Sequence, residues 1–249
     1  MTKIDIDALS LQLQRLRDSG EQVSTETFTS LPDVAEALAT QEKLTFSSPV
    51  SDAWKVARSP DGIGVSARLH PLVEQTVGGT LPWHAGTQLE IEIAVRLGKD
   101  LPPAADRPYQ RSDLLEAIET VYLGAELVRS VLTEGSKVSY PLFLADRLGN
   151  DGYVLGPELS PQFLDPSSTP ALSITAADTV IFDATGKHPA GDTLSWLLDF
   201  ANQPDRPASS LKAGALLTTG SLSGIIMLTK PGTVTADLAG APEFSFSLV

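Results

Sequence analysis

Two glutamates, Glu90 and Glu92, alternate with strong strand formers in the stretch LEIEIAV, residues 89–95. Residues two apart in a β-strand share a face of the sheet, so this spacing predicts that both carboxylates point the same way. Because like charges repel, the pair must face water, a partner or a cation. This stretch is therefore the first candidate for chemistry.

A third acid, Glu126, lies between Ala125 and Leu127 in a predicted strand, YLGAELVRS. Burying a lone carboxylate on such an apolar strand is costly. From the residues alone, two explanations stay open for the three acids. They are solvent-facing groups on a half-buried sheet, which is the more frequent case, or they share a cation.

Composition limits the classes of function. The chain has 249 residues, a formal net charge of −13 and no cysteine. That charge repels phosphates, so we expect no nucleic-acid partner and no anionic membrane surface. Without cysteine there is no disulfide, thiolate nucleophile or zinc-thiolate site, and any metal must be held by oxygen or imidazole. No apolar stretch approaches the roughly 20 residues of a membrane span, and the start lacks a signal-like block. We expect a cytoplasmic protein.

The elements that must position the acids follow from periodicity. Apolar residues at helical spacing predict an amphipathic helix over residues 4–18, and a second helix begins near Asp33 in LPDVAEALATQEKL. These helices predict a helical segment over residues 1–45, followed by a second domain over residues 46–249.

From Trp54 onward the sequence consists mainly of short apolar runs separated by Gly and Pro. This pattern predicts a β-rich fold. The predicted strands are WKVAR, GVSARL, LEIEIAVRL, GYVLG, ALSITA, TVIFDA, GALLTTG and FSFSLV. Two helices are predicted between them. One runs through DLLEAIETV, with Ser112 as its cap and Leu115, Ile118 and Val121 as its apolar stripe. The other is DTLSWLLDFANQ, which buries Leu194, Leu197, Leu198 and Ala201.

Several common motifs are absent from the sequence. It contains no phosphate-binding P-loop, no complete G-x-G-x-x-G, no H-E-x-x-H and no acid-rich calcium loop. The stretch GSLSG at Gly220 fails as a nucleophile elbow because its central residue is Leu222. The three histidines, His70, His84 and His188, have no supporting context for a catalytic triad.

The order of short motifs resembles the fumarylacetoacetate hydrolase superfamily, and within it the 2-keto-4-pentenoate hydratase and 4-oxalocrotonate decarboxylase branch. The matching segments, in chain order, are WKV at Trp54, LEIEIAVRLGKDLP at Leu89, AIETVYLGAELV at Ala117, ADRLGNDGYVLG at Ala145, GKHPAGDTLSWLLDFAN at Gly186, LKAGALLTTGSLSG at Leu211 and GTVTADLAGAPEFSFSL at Gly232. The E-x-E before a DLP tripeptide together with TTGS near the end is a fairly specific combination.

The resemblance implies an α+β fold with a mixed β-roll core and helices packed outside, in which residues 46–249 form the catalytic domain. It also implies one Mg²⁺ or Mn²⁺ bound by Glu90, Glu92 and Glu126, and a hard divalent ion with oxygen ligands would relieve their repulsion. Open coordination positions would chelate the carboxylate and C2 oxygen of a short 2-hydroxy-2,4-dienoate or 2-oxo acid. The implied activity is that of a hydratase, a lyase of aromatic catabolism, and relatives commonly form homo-oligomers.

Further residues take roles from the same resemblance. Lys55 matches the active-site lysine, which would move a proton or hold the anionic end of the substrate; the alternative is a lysine whose amine reaches solvent from a strand edge. Thr219, Gly220 and Ser221 would contact the substrate, unless they only form a turn. Asp146 matches an acid near the pocket, although a turn-forming Asp is nearly as frequent.

The sequence also departs from that pattern. The segment after Lys55 is short, ARSPDGIG, and residues 148–151 replace a small polar triplet that contains a serine. A shortened lid would leave the site more open. Decarboxylation of a 2-oxo acid and C–C bond hydrolysis use the same chelate and stay open as alternatives. Hydrolysis needs a water-activating base, for which His70 and Glu74 are a weak candidate pair. A non-catalytic relative is the remaining alternative.

Overall fold

The computed structural model describes residues 4–44, 52–74, 80–104, 106–206 and 210–249. The helices within these ranges are α1 (Ile6–Ser19), α2 (Val34–Lys43), α3 (Arg111–Ala117), α4 (Tyr140–Ala145) and α5 (Ser195–Ala201). The strands are β1 (Ala53–Arg58), β2 (Gly64–Arg68), β3 (Leu72–Glu74), β4 (Thr80–Leu81), β5 (Gln88–Leu97), β6 (Ile118–Val128), β7 (Asn150–Leu159), β8 (Ala171–Ala176), β9 (Thr179–Thr185), β10 (Leu216–Ser221), β11 (Ile226–Met227), β12 (Gly232–Leu238) and β13 (Phe244–Leu248).

The larger sheet has the strand order β2-β1-β10-β5-β6-β7-β3, and β11 also pairs with β5. Its centre is the antiparallel pair of β5 and β6, which have 10 and 11 residues. The sheet is mixed, because β1 runs parallel to β10 and β3 runs parallel to β7. The predicted α+β fold with a β-rich mixed core is confirmed.

The smaller sheet has the order β4-β13-β12-β8-β9, and it packs on the larger sheet through one shared apolar core. The contact is close at Gly156 of β7, where a Cβ atom would lie 2.7 Å from the Phe244 ring of β13. A larger residue at position 156 would therefore push the two sheets apart.

The two predicted N-terminal helices are present. Asp33 caps α2 in a capping box with Glu36, which satisfies free N–H groups of the first turn. Leu9, Leu13 and Leu16 of α1 enter a second apolar cluster that includes residues of α2 and α4. The predicted domain boundary after residue 45 lies outside the described residues.

The prediction of a helix through DLLEAIETV is wrong for the second half of that stretch. Helix α3 ends at Ala117, and Ile118 starts β6, so Val121 is buried in a strand while Leu115 is exposed. Ser112 does not cap the helix. The backbone N–H of Gln110, just before it, donates to Asp113. Pairing with β5 decides the outcome, because β-branched and aromatic residues from position 118 onward fit a sheet at least as well as a helix.

Helix α5 is shorter than DTLSWLLDFANQ, and three of its four predicted core residues, Leu194, Leu197 and Ala201, are fully buried. Leu198 is half-buried and packs against the main core. None of the helices within the described ranges is long and apolar enough to cross a membrane.

Candidate metal centre and its cavity

Three carboxylates meet at the centre of the larger sheet. Glu90 and Glu92 lie on one face of β5, and Glu126 of β6 is paired in register with Glu90. One carboxylate oxygen from each residue lies within 4.8 Å of the other two. The period-two prediction for Glu90 and Glu92 therefore holds, and strand pairing brings Glu126 to them across 34 positions of chain.

The three acids are not solvent-facing. Glu92 and Glu126 are 2% and 0% exposed, and Glu90 is half-buried. Burial, followed by the nearby charges of Glu126 and Glu90, raises the pKa of Glu92 well above its ordinary value. The pKa of Glu90 is also raised, first by burial and then by Glu126, while Lys55 opposes the shift. If all three acids were ionised, the group would carry more negative charge than its surroundings balance.

Lys55 of β1 reaches this group. Its Nζ lies 2.7 Å from Oε1 of Glu126, and the residue is 9% exposed, so it is not a lysine whose amine reaches solvent. Burial lowers the pKa of Lys55, but the carboxylates of Glu126, Glu90 and Glu92 outweigh burial and raise it above the ordinary value. Lys55 is therefore a cation beside three acids.

Asn150, at the start of β7, holds the same oxygen of Glu126, and sequence reasoning missed it. Its side-chain amide donates to Glu126 Oε1 at 3.1 Å, while its Oδ1 accepts from the backbone N–H of His70 at 2.9 Å. The only sequence signal was a polar residue directly before the buried run GYVLG. Asn150 replaces part of the serine-containing triplet that the resemblance predicts, and it has a clear structural role.

The arrangement fits a hard divalent cation. Two donors converge on Oε1 of Glu126, whereas its Oε2 and Oε2 of Glu92 are buried with no hydrogen-bond partner among the described residues. Unpaired buried carboxylate oxygens are costly, and such ions prefer oxygen ligands. Glu90, Glu92 and Glu126 are therefore suited to hold Mg²⁺ or Mn²⁺.

Tyr153 was also missed. It is fully buried in β7, opposite Glu126, and its hydroxyl lies 2.1 Å from the position a Cβ atom on Gly124 would occupy. Gly124 is itself paired with Glu92, so the absence of a side chain at position 124 allows the phenol to lie beneath the acids. Burial, then the charges of Glu92 and Glu126, raises the pKa of Tyr153 and keeps it protonated.

The acids open into a cavity of about 570 Å³. Lys55, Glu90 and Glu92 line one part of it, and Gly220 and Ser221 of TTGS lie in the wall. The short segment after Lys55 contributes Ala57, Arg58, Ser59 and Pro60 to the lining. The sequence-predicted acids and lysine therefore lie beside a space large enough for a small organic acid.

Some residues of the TTGS stretch line the cavity, and others are buried in the core. The Thr219 hydroxyl donates to the Ile93 carbonyl at 2.8 Å, and Thr219 does not line the cavity. Gly220 has a φ of 116°, and a Cβ atom there would lie 2.6 Å from Nε2 of His188. Because Nδ1 of His188 accepts from the Ala190 N–H, Nε2 carries the proton and donates to the Thr219 carbonyl at 2.9 Å. His188 thus fixes the end of β10.

Asp146 lies outside the cavity. Its carboxylate accepts hydrogen bonds from the Ser130 hydroxyl at 2.7 Å and the Val131 N–H at 3.0 Å, and it is paired with Arg17 of α1. Both of its carboxylate oxygens already have partners, and Asp146 is not among the described residues that line the cavity.

The pair predicted for hydrolysis is not at the cavity. Neither His70 nor Glu74 is among the described residues that line it, and the same holds for His84 and His188. Burial and the nearby Arg147 lower the pKa of His70 to about 4.

No protein-family model and no curated protein sequence matches the chain. Solved structures do match. The 4-oxalocrotonate decarboxylase from Pseudomonas putida G7, complexed with magnesium and adipate, superposes with a TM-score of 0.79 at 18% identity, over 98% of this chain and 97% of that one.

Two further structures are less similar. The fumarylpyruvate hydrolase from Pseudomonas aeruginosa, in complex with Mn²⁺ and pyruvate, has a TM-score of 0.54 at 14% identity over 79% of this chain and 88% of that one. The 2-hydroxyhepta-2,4-diene-1,7-dioate isomerase from Mycobacterium marinum has a TM-score of 0.54 at 18% identity over 81% and 76%.

These similarities define the class of fold. The chain shares its fold with these enzymes, which include members of the fumarylacetoacetate hydrolase superfamily, and this confirms the fold that the sequence resemblance implied. Within that fold, the decarboxylase matches nearly the full length of both chains.

Proposed function

We propose that this protein is a divalent-metal-dependent hydratase that acts on a short 2-hydroxy-2,4-dienoate or its 2-oxo-4-enoate form. The observation that carries the proposal is the buried group of Glu90, Glu92 and Glu126 at one part of a cavity, with carboxylate oxygens that no described residue satisfies.

Glu90, Glu92 and Glu126 would hold the Mg²⁺ or Mn²⁺. Bound there, the ion supplies Lewis-acid stabilisation of negative charge on the C2 oxygen of the substrate. The magnesium and manganese complexes of the two enzymes with the same fold support this choice of ion.

Lys55 would carry protons. Hydration of a 2-hydroxy-2,4-dienoate moves the enol proton to C5, then adds hydroxide to C4 and a proton to C3, which gives a 4-hydroxy-2-oxo acid. Lys55 lines the cavity beside the acids, and its cationic Nζ donates a hydrogen bond to Glu126. As an ammonium group, Lys55 can donate a proton to the substrate, and the neutral amine that forms can then accept one. Asn150 would position Glu126 so that its Oε2 faces away from the two donors.

Of the two sister reactions, C–C bond hydrolysis is the less well supported. C–C bond hydrolysis needs a base that activates water, and no histidine of the described residues lines the cavity. Decarboxylation of a 2-oxo acid needs no such base, and the similarity to 4-oxalocrotonate decarboxylase keeps it as the second candidate. A non-catalytic relative would have no need for buried, unsatisfied carboxylates. A homo-oligomer remains part of the proposal.

The test combines metal binding with turnover. Calorimetric titration should show one Mg²⁺ or Mn²⁺ site in the parent protein and none in Glu92→Gln, and the variant should lose turnover of a dienoate followed by ultraviolet absorbance. Glu116→Gln, an exposed acid on α3, is the matched control and should behave like the parent. A parent protein that binds neither ion would contradict the proposal, and CO₂ release from a 2-oxo acid without dienoate hydration would favour the decarboxylase.

A further inference from the structure

The cavity is larger than the smallest substrate of the proposed reaction requires. A volume of about 570 Å³ falls within the roughly 300–1,000 Å³ of pockets that enclose drug-sized molecules. The shortest 2-hydroxy-2,4-dienoate has only five carbon atoms. Space therefore remains beyond the acids for a substituent at the distal end of the substrate.

The walls of that space are mostly apolar. They include Val128, Phe143 and Leu148 from the region of β6 and α4, and Pro189, Trp196 and Ile225 from the region of α5 and β11. Binding of an apolar group against an apolar wall is favourable, because both surfaces leave water. A charged group gains nothing from such a wall, because it loses its hydration there. Ile225 is 59% exposed, so part of the wall is open to solvent.

Leu148 is placed in this wall by an unusual backbone. Arg147 and Leu148 both have left-handed conformations, with φ of 56° and 54°, which non-glycine residues rarely adopt. The surrounding structure holds them there. Asp146 is tied to Arg17 and Ser130, and Arg147 donates to the His70 carbonyl at 2.9 Å. The result is a leucine that is 6% exposed and lines the cavity.

The polar groups in this part of the cavity suit a neutral ligand. The Tyr140 hydroxyl is buried with no partner among the described residues. Burial and the Asp61 carboxylate raise the pKa of Tyr140 to about 12, so the phenol stays protonated beside a negative charge. Arg58, which also lines the cavity, is already paired with Asp199. Among the described residues that line the cavity, Lys187 is the remaining cation that could bind a second carboxylate, and its side chain is exposed.

We propose that the substrate carries a neutral, apolar substituent at its distal end, such as an aryl or alkyl group, which packs on Phe143, Leu148 and Trp196. This inference rests on the proposed function, since the acids and the metal must hold the 2-oxo acid end. It names the substrate class of the site, a 2-oxo acid with an apolar tail rather than a dicarboxylate.

The test measures binding of saturated 2-oxo acids by calorimetry in the presence of Mg²⁺. Pyruvate has no tail, 2-oxohexanoate has an alkyl tail, 2-oxo-4-phenylbutanoate has an aryl tail, and 2-oxoadipate places a carboxylate on the same six-carbon chain as 2-oxohexanoate. We expect both apolar tails to bind at least about tenfold more tightly than pyruvate. We expect 2-oxoadipate to bind more weakly than 2-oxohexanoate.

Two variants locate the effect. Phe143→Ala and Ile225→Ser should each reduce the affinity for 2-oxo-4-phenylbutanoate and leave pyruvate unchanged. The second removes a largely exposed side chain, so it does not endanger the fold. Lys187→Ala should change none of the affinities.

The outcomes separate the two proposals. Failure of pyruvate to bind with Mg²⁺ would overturn the proposed function. Pyruvate binding without any gain from apolar tails would overturn only the apolar substituent. Tighter binding of 2-oxoadipate than of 2-oxohexanoate, lost in Lys187→Ala, would assign a dicarboxylate substrate instead.

Discussion

The protein contains two buried groups of charged side chains that are built in opposite ways. The acid centre consists of Glu90, Glu92 and Glu126 with Lys55, so three acids face one base. The anchor cluster consists of Arg17, Asp146, Asp151 and Ser130, and it joins α1 to the segment after β6 and to the start of β7.

The anchor cluster is saturated with partners. Arg17 is paired with both Asp146 and Asp151, and the second oxygen of Asp146 accepts from the Ser130 hydroxyl and the Val131 N–H. Burial lowers the pKa of Arg17, but the two aspartates outweigh burial and raise it. In the acid centre, by contrast, buried oxygens of Glu92 and Glu126 have no partner in the described part of the chain.

The difference separates a structural role from a binding role. A buried charge with all its partners needs nothing from outside, whereas a buried excess of negative charge is costly until a cation joins it. Removal of one charged partner from the anchor cluster should therefore destabilise the protein. Binding of a cation at the acid centre should stabilise it.

The largest expected effect concerns the anchor cluster. Arg17→Met removes the ion-pair partner of the buried Asp146 and the half-buried Asp151, so we expect the free energy of unfolding to fall by about 3–5 kcal/mol, measured by urea denaturation. Lys212→Met, which breaks the exposed pair with Asp100, is the control and should cost far less. Equal losses in the two variants would show that burial does not distinguish these ion pairs.

The next effect concerns the acid centre. At a Mg²⁺ concentration about a hundred times its dissociation constant, we expect the free energy of unfolding to rise by about 2.7 kcal/mol, measured as the shift of the thermal midpoint against an EDTA-treated sample. Glu92→Gln should lose this shift, while Arg17→Met should keep it despite its lower stability. A shift that persists in Glu92→Gln would place the ion elsewhere.

The smallest effect concerns the support of the acid centre. Asn150→Ala removes one of two donors to Glu126 Oε1, and we expect the affinity for Mg²⁺ to fall about 10–100-fold by calorimetry. Asn202→Ala is the matched control, because Asn202 bonds the backbone of Tyr109 on both sides and does not line the cavity. Unchanged affinity in Asn150→Ala would reduce Asn150 to a residue that only holds His70.

Part of this site was predictable from sequence because strand geometry is periodic. Alternation placed Glu90 and Glu92 on one face, and the resemblance supplied Glu126 and Lys55. Asn150 and Tyr153 could not be predicted in the same way. Their roles depend on the pairing of β7 with β6 and on the space above Gly124, which no local pattern encodes.

The misplaced helix has a related cause. Residues 113–121 have apolar spacing that suits a helix, and the sequence alone cannot show that the chain from Ile118 onward pairs along the whole of β5. Asp146 is the opposite case. The resemblance matched Asp146 to an acid near the pocket, whereas α1, far away in the chain, supplies Arg17 to bind it.

The sequence by itself determined the strand-rich fold, the N-terminal helices and the common face of Glu90 and Glu92, because these follow from periodicity and local conformational preference. The tertiary structure decided which distant residues meet. It joined Glu126 to the acids of β5, placed Lys55 and Asn150 on the same oxygen, and bound Asp146 to α1 instead of the cavity. Contacts of this kind arise from strand register and packing, and these are set by the whole fold.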